Sequence, residues 1–155
     1  MKLVFDQLTF EAAHYIPQCG KCSGIHGHTY TIKDLQIVIP TGTGFELTDN
    51  GLSIDFAEIK NYFNEQWDHK FMILKEDEEY WKHIFEECGI APVLDNRKIV
   101  WGSTAEAMAM TIQEALEKIV YDRYPKLRDL VETMKVPSHI VSFTLYEGPN
   151  HGVSV

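Results

Sequence analysis

Three cysteines in 155 residues are too few, and odd in number, for a disulfide framework, so Cys19, Cys22 and Cys88 are expected as thiols or metal ligands. Basic residues are scarce as well. Lys and Arg total 14 against 23 Asp and Glu, and the formal charge of -9 leaves no general basic surface to attract nucleic-acid backbones. No apolar run reaches the length of a membrane span, and Asp6 interrupts the first residues, so a cytoplasmic protein with neither signal peptide nor membrane segment is expected. Repeats, low-complexity tracts and long Pro/Gly/Ser linkers are also missing, so residues 1–155 are read as one domain. What the chain does have is 45% hydrophobic and 12% aromatic residues, enough for a buried core and incompatible with general disorder.

Hydrophobic periodicity orders the elements. Leu3 to Ala13 and Tyr30 to Ile39 alternate as strands and are joined by a long loop. Asp55-Phe56-Ala57-Glu58 is a capping box, and Phe56, Ile59, Phe63 and Trp67 follow at near-helical spacing. A second helical stretch spans about Asp77 to Cys88, stopped by Gly89 and Pro92, and reads as an accessory insertion; its spacing places Cys88 in the core with Tyr80, Trp81, Ile84 and Phe85. Ser103-Thr104-Ala105-Glu106 is another capping box, opening a longer helix with Met108, Ile112, Leu116 and Ile119 as its apolar stripe, closed off by Pro125. Leu127, Leu130, Val131 and Met134 add a helical turn or two before Pro137. Ile140 to Glu147 is a strand, Gly148-Pro149-Asn150 a turn, and His151 to Val155 a last strand.

The chemistry concentrates in the first hairpin. Strand side chains alternate, so His26 and His28 point to one face across Gly27, and an antiparallel return brings His14 beside them. Three neutral imidazoles suit Zn²⁺ and leave its fourth position for water or substrate, the pattern of a catalytic rather than a structural site. Cys19, Cys22, His26 and His28 also fit a closed Cys2His2 site that only holds the loop, although that leaves His14 without a role. In the open-site reading Cys22 is free to act as a base or nucleophile, with the ion pushing it toward thiolate. Asp68-His69 has the form of a carboxylate fixing an imidazole tautomer. Glu147, at a strand end, is either a solvated carboxylate or an acceptor for the two N–H groups of an amino-pyrimidinone edge.

Together these segments resemble the 6-pyruvoyltetrahydropterin synthase family, including its bacterial 6-carboxytetrahydropterin synthase branch of queuosine biosynthesis. The resemblance rests on Phe10-Glu11-Ala12-Ala13-His14, Cys22-Ser23-Gly24-Ile25-His26-Gly27-His28, Asp55-Phe56-Ala57-Glu58-Ile59-Lys60, Asp68-His69, Thr104-Ala105-Glu106 and Tyr146-Glu147, in that order. It implies His14, His26 and His28 as zinc ligands, Cys22 as catalytic thiol, Asp68 and His69 as the second acid/base group, and Glu147 as pterin anchor. It implies an α+β tunnelling fold: a four-stranded antiparallel sheet with helices on one face, several chains closing into a barrel, a homohexamer with active sites between subunits. Trp67, Gly102-Ser103 and Gly148 replace the Leu, Asn-Pro and Thr usual beside these motifs, which touches loops rather than the site.

The implied substrate is 7,8-dihydroneopterin triphosphate, a small molecule. In the carboxy branch it loses triphosphate and acetaldehyde to give 6-carboxytetrahydropterin; the pyruvoyl branch keeps the side-chain carbons. The spacing of Cys22 to His26 resembles the bacterial branch, and no glutamate lies between Cys19 and His26, as it does in relatives serving folate synthesis. A zinc-stabilised binding module without turnover is the reading from another class. Cys19 has no derived role.

Overall fold

The computed structural model describes residues 1–39, 51–90, 96–134 and 139–155. Pro92 and Pro137, expected as helix stops, lie outside the described residues, as do the side chains of Leu130 and Met134.

A long hairpin forms the centre of the sheet. β1 (Lys2–His14) pairs antiparallel with β2 (His26–Val38), from Lys2 opposite Val38 to His14 opposite His26. The loop between them contains a 3₁₀ turn, Gly20–Ser23. Burial alternates along both strands but changes phase partway. Leu3, Phe5, Leu35 and Ile37 are buried at one end, and Phe10, Ala12, His14, Tyr30 and Ile32 at the other. The phase changes where Asp34 takes a positive φ of 54° and β2 gains one residue relative to β5 (Val141–Glu147), between Lys33 and Gln36. This is a β-bulge, the device that re-aims side chains along a strand.

Six strands, not the expected four, form the sheet among the described residues. After α1 (Phe56–Gln66) the chain enters β3 (Lys70–Leu74), then α2 (Glu78–Glu87) and β4 (Arg97–Val100). β3 pairs parallel with β1, and β4 parallel with β3, so the sheet is mixed rather than wholly antiparallel. α3 (Ala105–Arg123), α4 (Pro125–Met134), β5 and β6 (Gly152–Ser154) follow, and the strand order is β4-β3-β1-β2-β5-β6.

The two extra strands escape the periodicity argument for a physical reason. Phe71, Met72, Ile73 and Leu74 are all buried, so β3 has no polar face to alternate with, as is usual for a parallel strand covered on both sides. On one side Met72 and Lys98 are partners in register, and the Lys98 ammonium lies 4.3 Å from the centre of the buried Trp67 ring. On the other, Phe71 meets Trp81 and Phe85 of α2. The expected insertion is therefore part of the sheet, and α2 covers the face opposite to α1, whose Phe63 stacks on Phe10.

Local rules place the helix starts. Asp55 accepts from the Ala57 amide at 2.8 Å and caps α1. In α3 the cap is Thr104, accepting from Ala107, one residue later than the Ser103 box predicts; Ser103 instead donates its hydroxyl to the Tyr15 carbonyl. Pro125 ends α3 as expected and opens α4 at the first helical position, where its missing N–H costs nothing. Cys88 is exposed rather than buried, because it is the C-cap of α2 and lies past the last core-facing turn, which Phe85 provides.

Candidate metal centre and thiol pocket

The hairpin register brings the three histidines together as the sequence predicts. One ring nitrogen from each of His14, His26 and His28 lies within 4.8 Å of the others, a grouping able to hold a metal ion. Neither Cys19 nor Cys22 joins that group among the described residues. His14 is fully buried; His26 and His28 are partly accessible.

Hydrogen bonds at the far side of the rings fix their orientation. His14 Nδ1 meets the Ser103 carbonyl at 2.6 Å, and His26 Nδ1 meets the Gly24 carbonyl at 2.7 Å. A carbonyl only accepts, so both Nδ1 atoms carry a proton; in the neutral rings both Nε2 atoms turn a lone pair inward, and when His14 is protonated its Nε2 donates to Glu147. Those Nε2 atoms are 3.1 Å apart. The Glu147 carboxylate sits at the same point, its Oε1 3.1 Å from His14 Nε2 and 3.2 Å from His28 Nε2. His28 Nε2 is buried and has no hydrogen-bond partner. Converging lone pairs and a carboxylate repel one another unless a positive species lies among them. The separation of the two Nε2 atoms is close to the roughly 3.3 Å edge of a tetrahedron whose metal–nitrogen bonds are about 2.0–2.1 Å. The residues present therefore fit a small divalent cation.

The titration shifts have the same origin. Burial alone would lower the His14 pKa, but the hydrogen bond and charge of Glu147 and the Ser103 carbonyl raise it. Burial lowers His28. Glu147 is held below the usual carboxylate range chiefly by its hydrogen bond to His14. Tyr30, wholly buried, offers its hydroxyl to Glu147 Oε1 at 3.3 Å, and burial pushes its phenol up.

Cys22 is beside this cluster. Partial desolvation and neighbouring Cys19 and Glu147 push its thiol up, so the protein's own groups do not favour the thiolate; a bound cation would have to supply that push. A cavity of about 280 Å³ opens next to Glu147, lined also by Cys19, Glu106 and His151.

Asp68 and His69 form a separate unit. Asp68 Oδ2 accepts from His69 Nδ1 at 2.8 Å, and Asp68 Oδ1 accepts from the Glu11 amide at 2.9 Å. The Glu11 amide is the main reason the Asp68 carboxyl titrates low. His69, three-quarters exposed, takes a positive φ of 57°, and its amide donates to the Glu11 carbonyl at 2.7 Å. It borders a second cavity, of about 560 Å³, whose walls include Glu11, Thr29 and Lys70. Within one chain no hydrogen bond joins Asp68 or His69 to the histidine triad among the described residues.

Two contributors escaped sequence reasoning. Tyr30 carried a signal, being two residues beyond His28 on the same strand face. Ser103 carried none, because it acts through its backbone carbonyl from 89 positions away.

A mixed sheet with a partly buried histidine triad at the end of its central hairpin, and a carboxylate and thiol beside it, defines a small α+β protein built around a metal-competent pocket. The chain belongs to the 6-pyruvoyl tetrahydropterin synthase family, whose profile matches residues 4–153. It is 38% identical over 68 residues to the 6-carboxy-5,6,7,8-tetrahydropterin synthase of Bacillus subtilis (strain 168), a match covering 43% of this chain and 42% of that relative. Among solved structures it is similar to an uncharacterized protein from Wolinella succinogenes, at 18% identity and TM-score 0.58, covering 100% of this chain and 97% of the other. A 6-pyruvoyltetrahydropterin synthase from Plasmodium vivax is similar at 17% identity and TM-score 0.52, covering 100% and 96%. At these identities the structural likeness is one of fold.

Proposed function

We propose that this protein is a zinc-dependent 6-carboxytetrahydropterin synthase, converting 7,8-dihydroneopterin triphosphate and water to 6-carboxytetrahydropterin, acetaldehyde and triphosphate. The observation that carries the reading is the triad itself: His14 and His26 are preset by carbonyls to aim at one spot, where His28 and the Glu147 carboxylate also converge. His14, His26 and His28 would hold Zn²⁺. When bound, the ion supplies a Lewis acid for substrate side-chain oxygens.

The chain's own residues do the rest. Glu147 accepts the two N–H bonds of the amino-pyrimidinone edge, charge-assisted bonds of about 1.5–3 kcal/mol each. Cys22 moves a proton on one side of the substrate side chain and His69 on the other, each contributing about 10²–10⁴-fold. Asp68 keeps the His69 proton on Nδ1, leaving Nε2 as the exchanging atom. His69 and His28 line one cavity, but no hydrogen bond joins His69 to the triad among the described residues, and in a homohexamer a neighbouring subunit's copy of His69 would complete the site, copies joining through the sheet edges β4 and β6.

Incubation with dihydroneopterin triphosphate and mass spectrometry of the products tests the activity. The carboxy product with free acetaldehyde is expected, and a retained three-carbon side chain would assign the pyruvoyl reaction instead. Cys22→Ala should keep its metal and lose turnover; loss of the metal with the thiol would restore the closed, non-catalytic site. Inactive Cys22→Ala and His69→Ala chains, refolded together, should regain activity in hybrid oligomers if the two residues come from different subunits. Hybrids that form and stay inactive would refute the shared site.

A further inference from the structure

Cys19 is the one thiol near the pocket that the reaction does not use. We propose that Cys19 and Cys22 form a reversible intramolecular disulfide, a modification site at the mouth of the metal pocket. Cys19 is the N-cap of the 3₁₀ turn Gly20–Ser23 that carries Cys22, and the Cys22 amide donates to the Cys19 carbonyl at 2.9 Å. That i→i+3 bond closes a four-residue turn, whose first and last Cα atoms lie less than about 7 Å apart. That limit meets the span of about 4.4–6.8 Å that a disulfide bridges. Gly20, between them, adopts a positive φ of 52° with open space where a Cβ would project, so the turn can adjust.

The rest of the loop keeps the pair in place. The Ile16 amide donates to the Cys22 carbonyl at 2.8 Å, and the Ser23 hydroxyl donates to the Gly20 carbonyl at 2.6 Å, pinning the turn to the end of β1. Access is uneven: Cys19 is exposed and lines the cavity beside Glu147, whereas Cys22 is half-buried. A small disulfide oxidant therefore meets Cys19 first.

With glutathione disulfide as the oxidant, the Cys19 thiolate attacks one sulfur, the glutathione S–S bond breaks and one glutathione leaves. The Cys22 sulfur then attacks Cys19 Sγ, the mixed disulfide breaks and the second glutathione leaves. Two cysteine thiols are oxidised by two electrons, one glutathione disulfide is reduced to two thiols, and the two protons pass to the departing glutathiones. The consequence for turnover rests on the catalytic role proposed for Cys22, since the bridge occupies the sulfur that moves the proton.

The test uses the full-length, metal-loaded protein carrying Cys88→Ser, which removes the only other thiol. After incubation with glutathione disulfide, intact mass should fall by two hydrogens, and peptide mapping should place the cross-link between Cys19 and Cys22. Dithiothreitol should restore both thiols. Adding Cys22→Ala should halt the chemistry at one glutathione on Cys19. A stable glutathione adduct without a cross-link when both thiols are present, or no modification at all, would overturn the proposal. Turnover is read separately: it should drop more than tenfold on oxidation and return on reduction. A mapped cross-link alongside full activity in both the oxidised protein and reduced Cys22→Ala would uphold the disulfide site and remove Cys22 from catalysis.

Discussion

The two ends of β1's neighbourhood solve different problems. At the hairpin end, His14 and His26 are each held by a carbonyl and aimed before anything binds. At the parallel edge, His69 is three-quarters exposed, held by its neighbour Asp68 and by a backbone bond to Glu11. A group that must bind a cation benefits from rigid preorganisation, because each misaimed lone pair weakens the site. A group that must take and give a proton benefits from access. The backbone differs as well: His69 takes a left-handed φ of 57°, whereas none of the triad histidines has a positive φ.

The largest effect should come from the rigid end. His14→Ala removes one of the three ligands proposed for the metal and leaves the Ser103 carbonyl without its buried partner. Metal affinity should fall by more than ~100-fold, the upper end of what losing an outer-shell partner costs. Unfolding stability without metal should also drop by about 1–3 kcal/mol. Metal analysis and denaturant titration read the two separately. Retained metal at the wild-type level would dissolve the contrast.

An intermediate effect is expected at Asp68. Its folded pKa is depressed, first by the Glu11 amide, so the stability it contributes is complete above the ordinary carboxylate range and disappears as pH falls through the folded value. Asp68→Asn should lower stability at pH 7 by about 1 kcal/mol, given partial screening by solvent, and flatten the acid limb. Urea midpoints from pH 7 downward check this. A variant whose acid limb matches the wild type would remove the Asp68–Glu11 bond from the account.

The smallest change sharpens the comparison most. His69→Gly should relieve the left-handed backbone and raise stability by up to about 1 kcal/mol while abolishing the proton-transfer contribution. Thermal unfolding together with turnover reads both. A clear loss of stability would mean that the imidazole also has a structural role.

The same contrast explains what could be read from the chain alone. The triad was legible because antiparallel pairing and a period of two are local rules: His26 and His28 share a face, and a hairpin returns to His14. Glu147 was legible as a strand-end carboxylate, but its position on the triad was not, since the pairing of Tyr30 with Glu147 spans the chain. The parallel edge was hidden because β3 is apolar on both faces and half of β4 is Arg97 and Lys98. Lys98 reads as solvent-facing, and only the Trp67 ring, supplied by the end of α1, makes its placement intelligible. The bulge at Asp34 had no signature either, because an aspartate between alternating strand residues looks like any exposed position.

That bulge also sets which changes of length the hairpin can accept. Pairing across β1 and β2 stays in step on both sides of it, while the buried set shifts from odd to even positions along β1 and from even to odd along β2. Removing a single residue from β2 near Asp34 would restore even pleating against β5 and, in the same stroke, turn either the Leu35–Ile37 half or the His26–Tyr30 half to the opposite face. Substitution in this stretch must keep the buried Leu35 and tolerate the left-handed backbone at Asp34, and insertion or deletion is in addition coupled to the histidine triad some eight residues away. The interval from Lys33 to Gln36 is thus a point where chain length, as well as residue identity, is under constraint.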